Sequence, residues 1–172
     1  EYTYLDKSEM AIILDKNYFN NSFTAKDIDK IYSKMFKSWN TKLFYSYLKK
    51  FNLSENKKIK SYSHGMKVKL NFAYAFCRKP KILLLDEATN GLDPIFRNNL
   101  LIELLNFSKE TNCTCLISSH ILSDLEKITN RVLYLKNGKI SEEKDISNLE
   151  KIMMKGWYIM YSNILKDFVL LK

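Results

Sequence analysis

Glycine and proline are scarce in this chain of 172 residues, which contains four glycines and two prolines. This scarcity excludes collagen-like and linker-rich sequences and most architectures built from strands joined by tight turns. Intrinsic disorder is excluded as well, because 46% of the residues are hydrophobic. The length favours one domain, with room for an inserted subdomain.

Arginine and cysteine are also few. Three arginines accompany 25 lysines in a chain of net charge +9. A basic chain can bind nucleic acid or an anionic membrane surface, but these lysines are scattered, and arginine is the residue suited to bidentate phosphate contacts. Lysines spread over solvated faces are therefore favoured over an anionic partner surface. Three cysteines without metal-ligand spacing predict reduced thiols rather than disulfides or a zinc site.

Long apolar runs are missing too. The most apolar stretch, residues 157–165, has about half the roughly 20 residues that a membrane-spanning helix needs. The N-terminus lacks the basic and apolar regions of a signal peptide. Because the chain begins with Glu1, we expect a fragment, a processed product or a shortened form of a longer protein.

Hydrophobic periodicity predicts helices that alternate with strands. Strands are predicted at residues 10–14, 82–85, 114–118 and 131–135, and helices at about 25–37, 41–51, 64–78, 94–109 and 121–128. An Asn137–Gly138 turn is expected to link the last strand to a hairpin partner at 139–140. The continuous apolar run of residues 82–85 predicts a strand covered on both faces, as in a parallel sheet. Residues 141–172 are predicted to form a helical tail.

This order predicts an α/β fold with a mostly parallel sheet, whose ligands bind beyond the carboxyl ends of the strands. Asp15, the Asp86–Glu87 pair and His120 follow three of the predicted strands. Asp86 is placed to face Mg²⁺ and Glu87 to face an attacking water, which suits hydrolysis of a nucleotide γ-phosphate. Alternatively, Asp86 and Glu87 cap the next helix, and His120 is an ordinary polar residue.

Three segments resemble the ATP-binding-cassette (ABC) ATPases. Residues 82–94, which read ILLLDEATNGLDP, are similar to the Walker B and D-loop segment of that family. Residues 118–122 (SSHIL) resemble the segment of its switch histidine, and residues 62–66 (YSHGM) occupy the place of its signature sequence. The resemblance covers about residues 10–145 and is strongest to bacterial exporter-type transporters.

The resemblance implies roles for individual residues. Asp86 would bind Mg²⁺, Glu87 would be the general base, and His120 would sense the γ-phosphate. The remaining candidates would bind nucleotide: Ser63, His64 and Gly65 in the signature loop, Asp93 in the D-loop, and Asp15 at the position of the family's glutamine. His64 and Asp15 depart from the family's usual glycine and glutamine.

The resemblance also implies a division of the chain. A P-loop NTPase (RecA-like) core with an inserted α-helical subdomain is expected, in four parts. Residues 1–21 would end the N-terminal core part and hold the Q-loop region, 22–79 the helical subdomain with the signature loop, 80–146 the Walker B, D-loop and switch histidine, and 147–172 the helical tail. The phosphate loop G-x-x-x-x-G-K-[ST] is absent from the sequence and would lie upstream of Glu1.

The function implied is ATP hydrolysis that energises a membrane permease, with ATP and Mg²⁺ as cofactors. The expected partners are the permease and a second ATPase subunit, identical or different, at the cytoplasmic face of the cell membrane; no nucleic acid is expected. Without the phosphate loop, the 172 residues are expected to be inactive alone. The alternative functions are a non-catalytic regulatory subunit and a nucleic-acid-associated ABC ATPase.

Overall fold

A computed structural model of the chain describes residues 9–16, 18–119, 128, 131–136, 139–145 and 158–162. The helices are α1 (Ala25–Met35), α2 (Thr41–Lys50), α3 (His64–Phe76) and α4 (Pro94–Thr111), with a 3₁₀ turn at Ile59–Ser61. The strands are β1 (Met10–Leu14), β2 (Ile82–Asp86), β3 (Thr114–Ser119), β4 (Arg131–Lys136), β5 (Lys139–Asp145) and β6 (Tyr158–Ser162). These strands form one sheet in the order β1-β2-β3-β6-β4-β5.

The sheet has a parallel half and an antiparallel half. Strands β1, β2 and β3 are parallel, which confirms the predicted parallel sheet where the candidate site lies. Strand β6 is antiparallel to both β3 and β4, and β5 is antiparallel to β4. The predicted hairpin is therefore present, although its turn at 137–138 and the predicted helix at 121–127 lie outside the described residues.

The predicted helical tail is wrong for residues 158–162, which form β6, and for residues 141–145, which complete β5. Tyr158–Ser162 reads YIMYS, a run rich in aromatic and β-branched side chains that favour strands. Such a short apolar run has no periodicity that distinguishes a helix from a strand. Pairing with β3 and β4 decides its structure.

One face of the parallel half is buried and the other is partly exposed. Leu83 and Leu85 are buried in β2, whereas its alternate residues are half-buried or exposed. On β1, Ile12 and Leu14 are 48% and 41% exposed. The face of β2 that carries Leu83 and Leu85 is therefore covered as predicted, whereas Ile82 and Leu84 on the other face are only half-buried within these 172 residues.

Helices α3 and α4 meet in the hydrophobic core. The rings of Phe76 and Phe107 stack with centroids 4.1 Å apart, and both side chains belong to the same buried cluster as Leu83 and Leu85. Cys77, Cys113 and Cys115 are also buried and free, as the sequence predicts. Desolvation by burial raises the pKa of the Cys77 thiol, which keeps it protonated.

Aromatic side chains join α1 and α2 to α3. The ring of Tyr74 on α3 lies 4.9 Å from that of Tyr32 on α1 and 5.8 Å from that of Trp39, measured between centroids. The apolar stripe of α2 is buried at Phe44 and Leu48, which confirms that this stripe is core rather than a binding surface. Burial raises the pKa of Tyr74 to about 12, so its hydroxyl stays neutral.

Within the described ranges, every helix is too short or too polar to cross a lipid bilayer.

The start of α1 offers a stability prediction. Thr24 Oγ1 accepts a hydrogen bond from Asp27 N (3.2 Å), and Asp27 Oδ2 accepts one from Thr24 N (2.8 Å), which together form a capping box. Thr24→Ala removes the side-chain half and is expected to lower the free energy of unfolding by about 1 kcal/mol in urea titrations. Thr24→Ser keeps the hydroxyl and is the control; equal losses in both variants would contradict the capping role.

Candidate functional site

Acidic side chains follow the carboxyl ends of the parallel strands. Leu14, Asp86 and Ser118 lie side by side in the register of β1, β2 and β3. Asp15 and Glu87 are therefore the first residues beyond two neighbouring strand ends. This confirms that the parallel sheet brings these predicted site residues to one edge. His120, which directly follows β3, lies outside the described residues.

Ser118 connects the two acidic residues of the site. Its Oγ donates to Asp86 Oδ1 at 2.7 Å and accepts from Glu87 N at 3.1 Å. The Asp86 carboxylate is exposed, and Glu87 is half-buried in a left-handed backbone conformation with φ +48°. Sequence reasoning assigned Ser118 no role of its own. The available signal was its position, level with Asp86 at the end of the adjacent parallel strand.

The helix after β2 is capped by a different acidic residue. Helix α4 begins at Pro94, and its N-cap is Asp93, whose Oδ1 accepts from Phe96 N at 2.9 Å. The alternative in which Asp86 and Glu87 cap the next helix is therefore wrong. Their carboxylates lie at the strand end instead, and the site role of Asp93 itself stays a prediction.

The predicted signature loop lies at the start of α3. Ser63 is the N-cap of this helix, and its Oγ accepts from Met66 N at 3.3 Å. Gly65 follows in the first turn, where an added Cβ would lie 3.3 Å from the Phe96 ring. The start of α3 therefore presents the N–H groups of a first helical turn and the positive end of a helix dipole, a combination that suits an anion.

A cleft lies between the residues that follow β1 and the helix α3. Its volume is about 370 Å³, and Asp15 and His64 line it together with Lys16, Lys67 and Asn71. The structure thus brings together two predicted nucleotide-binding residues that are 49 positions apart in sequence. The two lysines offset the negative charge of Asp15, which would otherwise disfavour a phosphate nearby.

The acidic residues fit Mg²⁺ that arrives with a nucleotide. The described part of the chain has no group of three or more His, Cys, Asp or Glu side chains that could hold a metal ion. Mg²⁺ in nucleotide sites commonly uses one or two carboxylates, waters and substrate phosphates, and it requires no protein cage. The exposed Asp86 carboxylate, oriented by Ser118, meets that requirement.

Comparisons with known proteins identify the family to which this chain belongs. Residues 4–90 match the sequence model of the family described as ABC transporter. The chain belongs to this family, which confirms the resemblance seen in the motifs of residues 62–66 and 82–90.

Several curated relatives are ABC transporter ATP-binding proteins. YtrB of Bacillus subtilis (strain 168) is 26% identical over 81% of this chain and 48% of its own length. The bacitracin transport ATP-binding protein BcrA of Bacillus licheniformis is 39% identical over 69% of this chain and 39% of its own length. The lantibiotic transport ATP-binding protein SrtF of Streptococcus pyogenes is 39% identical over 57% of this chain and 42% of its own length. The chain thus spans about half or less of the length of these relatives.

Solved structures with the same fold include an ATP-binding subunit of an ABC transporter, with a TM-score of 0.73 at 19% identity over 88% of this chain and 65% of that one. CbiO1 of Clostridium perfringens, part of the ABC transporter complex cbiONQ, gives a TM-score of 0.69 at 20% identity over 84% of this chain and 60% of that one. These similarities confirm the predicted α/β fold of an ABC ATPase domain.

Proposed function

We propose that the full-length protein containing this chain binds and hydrolyses ATP as a subunit of an ABC transporter. The observation that carries the proposal is the hydrogen-bonded arrangement of Asp86, Ser118 and Glu87 at the ends of parallel strands. A hydrolase of nucleotide γ-phosphates depends on positioned charge and a positioned water. Here Ser118 orients the Asp86 carboxylate and fixes the backbone of Glu87 beside it. The names of BcrA and SrtF favour an exporter among ABC transporters.

In this proposal, each acidic residue has one task. Asp86 would hold the Mg²⁺ of the nucleotide, with its carboxylate oriented by Ser118 Oγ. Mg²⁺ supplies positive charge that stabilises the transferring phosphoryl group. Glu87 would accept a proton from the attacking water or orient that water. His120 would hydrogen-bond to the γ-phosphate.

The signature loop would serve the nucleotide of a second subunit. Ser63 and Gly65 lie at the N-terminus of α3, where N–H groups and the helix dipole attract phosphate. Asp93 would lie at the interface between the two ATPase subunits.

Residues 22–79 would form the helical subdomain that contacts a membrane permease at the cytoplasmic face. Asp15 would occupy the Q-loop position next to that subdomain.

The affinity of the 172-residue chain for ATP tests whether the proposed function depends on a phosphate loop. The 172 residues contain no G-x-x-x-x-G-K-[ST] motif, whose backbone and lysine cradle the phosphates. We expect the 172-residue chain to bind Mg-ATP very weakly in calorimetry and to hydrolyse little or none of it. The full-length protein, the matched positive control, is expected to do both. Micromolar affinity of the 172-residue chain would contradict the expectation, and absence of turnover in the full-length protein would contradict the proposed function.

A further inference from the structure

The side chain of His64 reaches from the start of α3 to the loop that follows Glu87. Its Nε2 lies 2.9 Å from the backbone carbonyl oxygen of Asn90. A carbonyl oxygen can only accept a hydrogen bond, so Nε2 carries the hydrogen and donates it. In the neutral imidazole, Nδ1 is then the acceptor nitrogen. This contact joins two segments that are 26 residues apart in sequence.

Asn90 is joined in turn to Glu87. Asn90 N donates to the Glu87 carbonyl oxygen at 3.0 Å, which closes a turn over residues 87–90. The beginning of that turn is fixed to β3, because Glu87 N donates to Ser118 Oγ at 3.1 Å. A continuous path of hydrogen bonds therefore runs from His64 through Asn90 to the backbone of Glu87 and on to Ser118.

Close packing reinforces this path. Gly91 has φ +67°, and a Cβ added there would lie 3.5 Å from His64 Nε2, so the imidazole ring lies against the backbone of the loop. One residue beyond His64, a Cβ on Gly65 would lie 3.3 Å from the Phe96 ring and 3.8 Å from Leu92. The start of α3 therefore also packs against Gly91 and against Leu92 and Phe96.

We propose that His64 is a positioning residue that fixes the Glu87 turn relative to the N-terminus of α3. The inference rests on the proposed function, in which Glu87 acts on the nucleotide of its own subunit and Ser63 and Gly65 act on that of the partner. His64 then links the two nucleotide sites of a dimer through a single chain. This role replaces the nucleotide contact that the resemblance implies for His64, because Nε2 is already bonded to Asn90. Loss of His64 then lowers turnover through a misplaced Glu87 and leaves the affinity for ATP nearly unchanged.

Two variants separate the hydrogen bond from the shape of the ring. His64→Gln keeps a side-chain N–H donor, whereas His64→Phe keeps a flat ring against Gly91 and has no donor. In the full-length protein, we expect His64→Phe to lower kcat by about 3- to 10-fold, the range for loss of one modest hydrogen bond, with KM for ATP unchanged. His64→Gln is expected to recover most of that loss. The reverse order of the two variants, or a change in KM alone, would overturn the proposal.

A second measurement uses the full-length protein and requires no ATP. Nitrogen NMR above the ordinary titration range of histidine reports the tautomer of His64, and the signals lost in His64→Gln are those of His64. We expect the Nε2–H tautomer, and faster amide exchange at Asn90 in His64→Phe than in His64→Gln. An Nδ1–H tautomer, or equal exchange in the two variants, would overturn the link between His64 and the turn.

The two measurements also separate this inference from the proposed function. If the full-length protein does not hydrolyse ATP, the proposed function fails and the catalytic effect of His64 fails with it, whatever NMR shows. If the wild-type protein hydrolyses ATP and His64→Phe does so equally well, only the positioning role fails.

Discussion

Glu87→Gln is expected to lower ATP turnover of the full-length protein by about 10²- to 10⁴-fold, the usual contribution of a positioned general base. Glutamine has nearly the shape of glutamate, but it cannot take a proton and holds a water less strongly. The backbone of residue 87 should stay in place, since its N–H bonds to Ser118 do not depend on the side chain. Nucleotide binding should therefore survive, and ATP-bound dimers should accumulate. Steady-state turnover and size-exclusion chromatography with ATP measure the two effects.

The matched control for this experiment is Glu103→Gln. Glu103 lies on α4 and pairs at 2.6 Å with Lys50, away from the strand ends. Removing its charge is expected to leave turnover within about twofold, because glutamine keeps the shape of the mostly buried Glu103 side chain and can still accept a hydrogen bond from Lys50 Nζ. If Glu87→Gln also turns over like the wild type, Glu87 is not the base.

Gly65→Asp is expected to abolish ATP-dependent dimerisation while each subunit still binds ATP. A side chain at this position fills the space through which backbone must approach phosphate, and a carboxylate there repels the anion. Loss of contacts to a transferring phosphate typically costs about 10²- to 10³-fold in turnover. Analytical ultracentrifugation with ATP measures the dimer, and calorimetry of the monomer measures ATP binding.

Packing within the chain requires a control for this variant. A Cβ at Gly65 lies 3.3 Å from the Phe96 ring, so any larger residue also presses on α4. Gly65→Ala tests this pressure without adding charge, and Phe96→Leu combined with Gly65→Asp relieves it. If the relieved double variant dimerises like the wild type, the defect lies in packing within the chain and the phosphate role of Gly65 is wrong.

Mixed dimers decide whether the signature loop acts on the partner's nucleotide. A Gly65→Asp subunit paired with a Glu87→Gln subunit keeps one site with an intact base and an intact signature, so activity should remain. Placing both changes in one subunit and pairing it with the wild type should damage both sites. A site formed within one chain predicts the opposite order. Heterodimers purified with two different tags, at matched concentrations, make the comparison direct.

The sequence predicts the local elements of this fold better than their neighbours in space. The strand at residues 10–14 and the start of α1 at Thr24 follow from an apolar run and a capping pair, which are local signals. Strand β6 could not be predicted from residues 158–162 alone, because its partners β3 and β4 come from distant parts of the chain. Coverage of the sheet is likewise a property of the assembled fold.

The candidate site likewise has residues that the sequence predicts and contacts that it does not predict. Asp86 and Glu87 are predictable because they directly follow an apolar strand, and Ser63 because it begins a helix with small polar residues. The hydrogen bonds of Ser118 and His64 depend on the register between strands and on the conformation of a loop. No spacing along the sequence encodes those contacts, which explains why Ser118 and Asn90 received no role from sequence reasoning.

The left-handed backbone of Glu87 lowers the stability of the fold at the position that holds the proposed general base. With φ at +48°, a residue that has a Cβ carries a conformational cost of about 1 kcal/mol that glycine avoids. A directed-evolution screen that selects only for thermal resistance would therefore favour glycine at position 87 and discard the proposed base. Engineering of this domain for heat tolerance should keep position 87 fixed and search elsewhere.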